Sequence, residues 1–234
     1  MRGFERDVAG IGALAEPVRR QLYLFVCAQP TPVSRDQAAD AVGVPRHKAK
    51  FHLDRLESEG LLETEYARVT GRTGPGAGRT AKLYRRAARE VAVSLPTREY
   101  ELAGRLMAGA IAESARTGTS VLEILHRMAS EYGTLVGGTA LATEGGKPAT
   151  PQAALDIAVQ ALREHGYEPR REGDRTVMAN CPFHALAQVH PTLVCHMNHA
   201  LITGLIGSLA PDRVDAKLDP GDDRCCVTLV LPRE

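Results

Sequence analysis

The chain has no tryptophan, and aromatic residues make up only 4% of its 234 positions. Any core must therefore be packed from Leu, Val, Ala and Ile, which a hydrophobic fraction of 44% supplies. Long apolar runs are missing too. The longest, "ALITGLIGSLA", is broken by glycines and falls short of the roughly 18 residues of a membrane span. No secretory leader is legible: the opening "MRGFERDVAGIGAL" carries Glu5 and Asp7 and has no apolar centre. These absences predict a cytoplasmic protein with no membrane contact, held where thiols stay reduced. A disulfide framework is then not expected. Neither is an enzyme: no Cys–His–Asp spacing is legible, and the glycine-rich "GRTGPGAGRT" lacks the Lys-Ser/Thr of a phosphate-binding loop. Internal repeats and low-complexity tracts are lacking as well.

Charge is nearly balanced, at +1 overall, but unevenly spread. Residues 1–90 hold 16 Lys/Arg against 11 Asp/Glu, a net of +5, and the other 144 hold 13 against 17, a net of −4. A basic first part suggests a surface facing a polyanion.

That first part has a grammar. "LAEPVRRQLYLFVCAQ" reads as a helix, with Pro17 in its first turn and Val18, Leu22, Phe25 and Val26 on one face. Cys27, near its end, reads as a small buried apolar residue. In "TPVSRDQAADAVGVPRHKAKFHLDRLESEGLLETEY", Ser34 is an N-cap with Gln37 in capping-box position. The short helix that follows ends at Gly43, which can take the left-handed turn. A second helix runs from Pro45 with Ala49, Leu53 and Leu56 inward. Arg46, His47, Lys48, Lys50 and Phe51 point outward, and Gly60 stops it. Short helix, glycine turn, longer helix with a basic outer face: this is helix-turn-helix order. The outer face would enter a major groove, with base edges and phosphates in reach of Arg46, His47, Lys48 and Lys50. "LLETEYARV" and "AKLYRR" flank a glycine-rich tip and read as a β-hairpin wing whose Arg72, Arg79 and Lys82 would lie along the duplex. The bland alternative is a solvated basic loop. The stretch from "LAEPVRRQ" to "HLDRLESEGLL", with "GRTAKLYRR", resembles winged-helix regulators of the ArsR/MarR type.

Residues 93–145 read as two linking helices. The first carries Leu102, Leu106 and Ile111, with Thr97 as its cap. The second carries a stripe of Val121, Leu122, Leu125, Met128 and Tyr132. His126 there reads as an ordinary histidine. Helices in this place suit a homodimer, since two half-sites need two heads, and equally suit packing within a domain.

Residues 146–234 hold four of the five cysteines. They read as a helix capped near Thr150, a hairpin turning at Gly173-Asp174, two helices, and a hairpin turning at Pro220-Gly221. The last helix is expected to end near Gly207. The whole chain is therefore expected to be α+β: a winged helix over 1–92, linking helices over 93–145, and a small cysteine-bearing α+β unit over 146–234. Cys181 would lie at a strand end, Cys195 in the next helix, and Cys225 early in the last strand. Side chains alternate along a strand, so Cys225 and Cys226 are expected on opposite faces. One thiolate each from Cys181, Cys195 and either Cys225 or Cys226 would suit a soft centre, zinc or an iron–sulfur cluster. His184, His190, His196, His199 and the spare cysteine are candidates for a fourth ligand. The spacing matches no compact zinc motif, and four metal-free cysteines remain an alternative.

"NCPFHALAQVHPTLVC" with the terminal "GDDRCCVTLVL" resembles the sensor domain of SufR-type repressors. With the winged helix, the likeness spans nearly the whole chain. It implies a dimer that binds an operator and carries an iron–sulfur cluster, [4Fe-4S] or [2Fe-2S]. It also implies repression of cluster-assembly genes while the cluster is bound. By that pattern Cys181, Cys195 and Cys225 are the ligands, with Cys226 a substitute for the last. Other readings are a regulator sensing another metal or small molecule, and a thiol switch with no cluster.

Overall fold

A computed structural model describes residues 2–67, 80–209, 214–221 and 224–231. The chain divides into two units, Met1–Val93 and Ser94–Glu234, each with its own core.

The first unit opens with α1 (Arg2–Ala13) and α2 (Pro17–Ala28). Glu16 caps α2, its carboxylate accepting the Val18 and Arg19 backbone N–H groups at 3.2 and 2.6 Å. Pro17 fills the first helical position, where no backbone donor is missed. Then come β1 (Val33–Ser34), α3 (Arg35–Val42) and α4 (Arg46–Ser58). The expected capping box is formed: Gln37 N–H donates to Ser34 Oγ, and Ser34 N–H donates back to Gln37 Oε1 at 2.8 Å. Gly43 ends α3 at φ 72°, where a side chain would be strained. The strands β2 (Leu62–Ala67) and β3 (Ala81–Arg86) pair antiparallel from Leu62↔Arg86 to Ala67↔Ala81. The short β1 adds to the other edge of β3, giving the order β1-β3-β2. Leu22, Val26, Leu53, Leu56 and Tyr84 are buried at the centre. Cys27 is only half-buried, and Tyr23 bonds to its thiol.

The second unit holds α5 (Tyr100–Thr117), α6 (Val121–Glu144), α7 (Pro151–Glu164), β4 (Pro169–Glu172), β5 (Arg175–Met178), α8 (His184–Val189), α9 (Pro191–Leu209), β6 (Asp215–Leu218) and β7 (Val227–Val230). Residues 93–145, expected as linking helices, supply α5 and α6 to the same core as the cysteine-bearing elements. The two hairpins join through β5 and β7 into one antiparallel sheet, order β4-β5-β7-β6. Thr150 caps α7 as expected, its Oγ1 accepting the Ala153 N–H at 3.1 Å.

Several local expectations fail. Glu99, not Thr97, is the residue before α5. Ile111 is 59% exposed, and Val121 and Leu122 also face solvent. Of the expected α6 stripe, Leu125 is buried and Met128 and Tyr132 pack against the core, and the inward face adds Ile124, Ala129, Gly133 and Gly137. The reason is α9, which approaches so closely that only small residues fit. A Cβ on Gly133 would stand 1.9 Å from the Leu201 carbonyl oxygen, and one on Gly204 2.1 Å from that of Ser130. Moreover, α9 runs past Gly207 to Leu209. Among the described residues it is the one helix long and apolar enough to cross a membrane. Half of its apolar stretch is buried inside the unit, as befits a core helix.

Candidate functional site

Helix α4 presents the face expected of a recognition helix. Ala49, Leu53 and Leu56 are fully buried, and this anchors the helix by its inner stripe. Arg46, His47, Lys48 and Lys50 are exposed, and Phe51 is 65% exposed among them. An aromatic held in water between basic groups suits contact with thymine methyls in a groove. Arg46 leans on Asp36 at 3.5 Å, and Lys50 pairs with Asp54 at 2.8 Å. Both pairs are solvent-exposed and exchangeable for phosphate at little cost.

Lys82 is placed differently from the expectation. It turns inward and binds two acids of α4, Asp54 at 3.1 Å and Glu57. Tyr84 adds its hydroxyl to Asp54 at 3.0 Å. Burial opposes the charge on Lys82, but its bonds to Glu57 and Asp54 outweigh this and raise its pKa. The residue thus ties the wing strand to the recognition helix, and a phosphate would have to compete with two carboxylates for it. Arg72 and Arg79, expected at the wing tip, lie outside the described residues.

In the second unit, a cavity of about 310 Å³ is lined by Cys181, Cys195, Cys225 and Cys226, together with His184 and Arg224. The cysteines reach it from three separate segments. Cys181 sits in the turn after β5, which the Phe183 N–H closes onto its sulfur. Arg98 supports this turn, donating to the Cys181 carbonyl at 2.9 Å and to Asn180. Cys195, half-buried, is on the first turns of α9. Cys225 and Cys226 precede β7 rather than lying within it. Regular pairing of Val177 with Thr228 would set Cys225 opposite Asn180. Its N–H instead reaches the Met178 carbonyl at 2.9 Å, while the Cys226 carbonyl accepts from Asp219 N–H at 2.7 Å. Toward β5 the chain has left the sheet register here, while toward β6 it keeps it, Asp219 lying opposite Cys226 just beyond the Leu218↔Val227 pair. Strand alternation no longer holds on the β5 side, and both cysteines of the doublet line the same cavity.

The electrostatics follow from crowding. Hydrogen bonding to the Cys225 thiol, then burial, raises the Cys181 pKa. At Cys225 the Cys181 thiol pulls downward, but Cys226 and burial prevail and push it up to about 12. Of the four histidines weighed as a further ligand, only His184 lines the cavity. His196 faces the ring of His126 at 6.0 Å, and His199 bonds the Ala216 carbonyl at 3.0 Å. His190 ends α8 and is exposed.

Residues 14–65 match the family model described as a helix-turn-helix domain. The chain is a DNA-binding transcription regulator. No curated protein matches the chain.

The regulator's cavity can be tested for what it could hold. Among the described residues, no three His, Cys, Asp or Glu donors are grouped to hold one metal ion. A single zinc needs every sulfur about 2.3 Å from one point, and the donor set does not offer that. A cluster spreads its thiolates over several iron atoms and asks for a wider ring of sulfurs. Arg224 supplies a further sign. Its Nη2 bonds Asp219 at 2.9 Å, but its Nη1 is buried with no partner among the described residues. Gly221 makes room for it, since a Cβ there would meet Arg224 Nε at 2.4 Å. An unmet cationic N–H beside four sulfurs fits an anionic occupant such as a thiolate-ligated cluster. Neither Arg224 nor Asn198, which donates to Cys225 Sγ at 3.1 Å, stood out in the sequence. The signal for Asn198 was an amide three residues after Cys195 on the same helix.

Proposed function

We propose that the regulator is a SufR-type repressor, a cytoplasmic homodimer whose second unit holds an iron–sulfur cluster and whose first unit reads an operator of cluster-assembly genes. The observation that carries this reading is the gathering of Cys181, Cys195, Cys225 and Cys226 around one cavity, lined also by Arg224, whose Nη1 has no partner among the described residues. Cys181, Cys195 and Cys225 would be ligands, and His184 or Cys226 the fourth. When bound, the cluster supplies an oxidisable and iron-dependent crosslink. The chain's own residues do the rest. Cys195 belongs to α9, which packs against α6 through Gly133 and Gly204, so tension on α9 is passed to α6 with little slack. Cys181 follows β5 and the doublet precedes β7, the two middle strands of the sheet. Fixing these segments together would set the geometry of a dimer, and with it the separation of two α4 helices that must enter successive major grooves.

The test is anaerobic purification with iron, sulfide and visible-absorption assays, followed by DNA binding with and without chelator. The Cys181→Ala, Cys195→Ala and Cys225→Ala variants are expected to lose colour, and Cys226→Ala to keep most of it. Full iron retention by Cys181→Ala would defeat the site.

A second reading has one observation in its favour, the hydrogen bond between the Cys181 and Cys225 thiols. Peroxide could take two electrons and two protons from this pair, leaving a disulfide and two waters. A colourless protein that loses two hydrogens in mass under mild peroxide would favour it.

A further inference from the structure

One buried hydrogen-bond chain in the second unit ends on a cysteine sulfur of the cavity. Tyr167 follows α7 and is 3% exposed, and its hydroxyl donates to Asn198 Oδ1. Asn198 is on α9, three residues after Cys195, and is 0% exposed. Its Nδ2 donates to Cys225 Sγ at 3.1 Å. Burying an amide in an apolar helix costs free energy unless both its ends are used, and here both are. The arrangement has a direction. A phenol proton on Oδ1 turns the NH₂ toward sulfur, whereas the opposite orientation would set a carbonyl oxygen against it. Among the described residues, no other side-chain amide in the second unit donates to a cysteine sulfur. The Val227 backbone N–H adds a second donor to the same atom.

We infer that Asn198, oriented by Tyr167, is a positioning residue that selects Cys225 over Cys226 as the ligand sulfur, and so tunes the potential and lability of the group bound there. The inference rests on the cluster reading above. Donors to ligand sulfurs stabilise the more negative, reduced state of a cluster and hold its ligands in place. The amide therefore favours reduction and slows loss. It also resolves the doublet: two adjacent thiols line one cavity, but Asn198 donates to only one of them.

The experiment uses the full chain, reconstituted anaerobically with ferrous iron and sulfide. Wild type is compared with Asn198→Leu, Tyr167→Phe and the double variant Tyr167→Phe/Asn198→Leu. The double variant replaces both partners by apolar groups of similar shape, and circular dichroism checks its fold. Midpoint potential is read by dye-mediated optical titration, and lability by the rate of bleaching in EDTA. Asn198→Leu and the double variant should shift the potential to more negative values and bleach about tenfold faster. Tyr167→Phe should fall between them and wild type. In a Cys226→Ala background the Asn198→Leu effect should persist. A folded double variant with wild-type potential and bleaching rate overturns the inference alone. Cys225→Ala protein that keeps both its colour and its sensitivity to Asn198→Leu also overturns it. Wild-type protein that takes up no colour overturns the cluster reading, and this inference with it.

Discussion

His52 lies between the exposed residues of α4 and the core, with its ring buried. Its Nδ1 accepts from Arg19 Nε at 3.4 Å and stands 3.5 Å from Glu16, while Nε2 is buried without a partner among the described residues. Burial holds its pKa below the ordinary 6.5, against the pull of Glu16. Below 6.5 the unfolded chain takes up a proton that the folded one resists, so acidification favours unfolding. The stability His52 lends is complete above 6.5 and is lost as the pH falls toward its folded value. The melting temperature of the first unit should therefore drop as the pH falls below 6.5, and His52→Gln should flatten that drop. Parallel pH profiles in the two proteins would contradict this. The basic residues divide by the same residue-level logic. Lys48, with no ion-pair partner among the described residues, should contact phosphate, and Lys48→Ala should lower the salt slope of DNA binding by about one. Lys82→Met should leave that slope unchanged. It should cost about 1 kcal/mol of stability, because it takes a cation from Asp54 and Glu57, a modest loss since Asp54 keeps Lys50 and Tyr84, Glu57 keeps the Thr64 hydroxyl, and each keeps about a third of its surface in solvent. Urea titration and filter binding on both variants separate the two roles.

At the scale of elements, the α6–α9 seam is the tightest joint in the second unit. Gly133 and Gly137 on α6 face Leu201, Leu205 and Ser208 on α9. Gly133→Ala puts a methyl group into the Leu201 carbonyl, and the helices must separate. A loss of about 3 kcal/mol is expected, at the upper end for overpacking. Gly138, on the same helix, has open space around its Cα. Gly138→Ala should stabilise by about 0.5–1 kcal/mol through helix propensity alone. Denaturant melts of the two variants should move in opposite directions, and equal shifts would mean the seam is looser than described. A joint this close suits a unit in which α9 carries a cysteine, since displacement of α9 cannot be absorbed by soft side chains.

At the scale of the molecule, two cores imply two folding units. Residues 1–93 expressed alone should fold and bind duplex DNA with steep salt dependence, because their core draws on no residue beyond Val91. Under the proposed function, iron chelation should change DNA affinity in the full chain and leave the 1–93 fragment unaffected. A fragment that responds to chelator would remove the second unit from the sensing role.

The capping box at Ser34 and Gln37, the left-handed Gly43, the inner stripe of α4 and the Gly173-Asp174 turn of the second unit were legible in the residues alone. Each depends on groups within a few positions of one another, where bond geometry leaves few options. What lay beyond the sequence needed partners from far along the chain. Lys82 looked like a wing cation until Asp54 and Glu57, 28 and 25 positions earlier, closed on it. The α6 stripe was right at Leu125, Met128 and Tyr132 but missed Ile124, Ala129 and the glycines, because a period does not reveal how closely a neighbour will approach. Only the approach of α9 made glycine and alanine the buried choice. The cysteine doublet was assigned by strand alternation, and a slip of register against β5 just before β7 cancelled that rule on that side. Local chemistry thus determined the caps and turns of the helix-turn-helix and the start of α7, and tertiary packing alone decided which sulfurs share a cavity and which amide faces one of them.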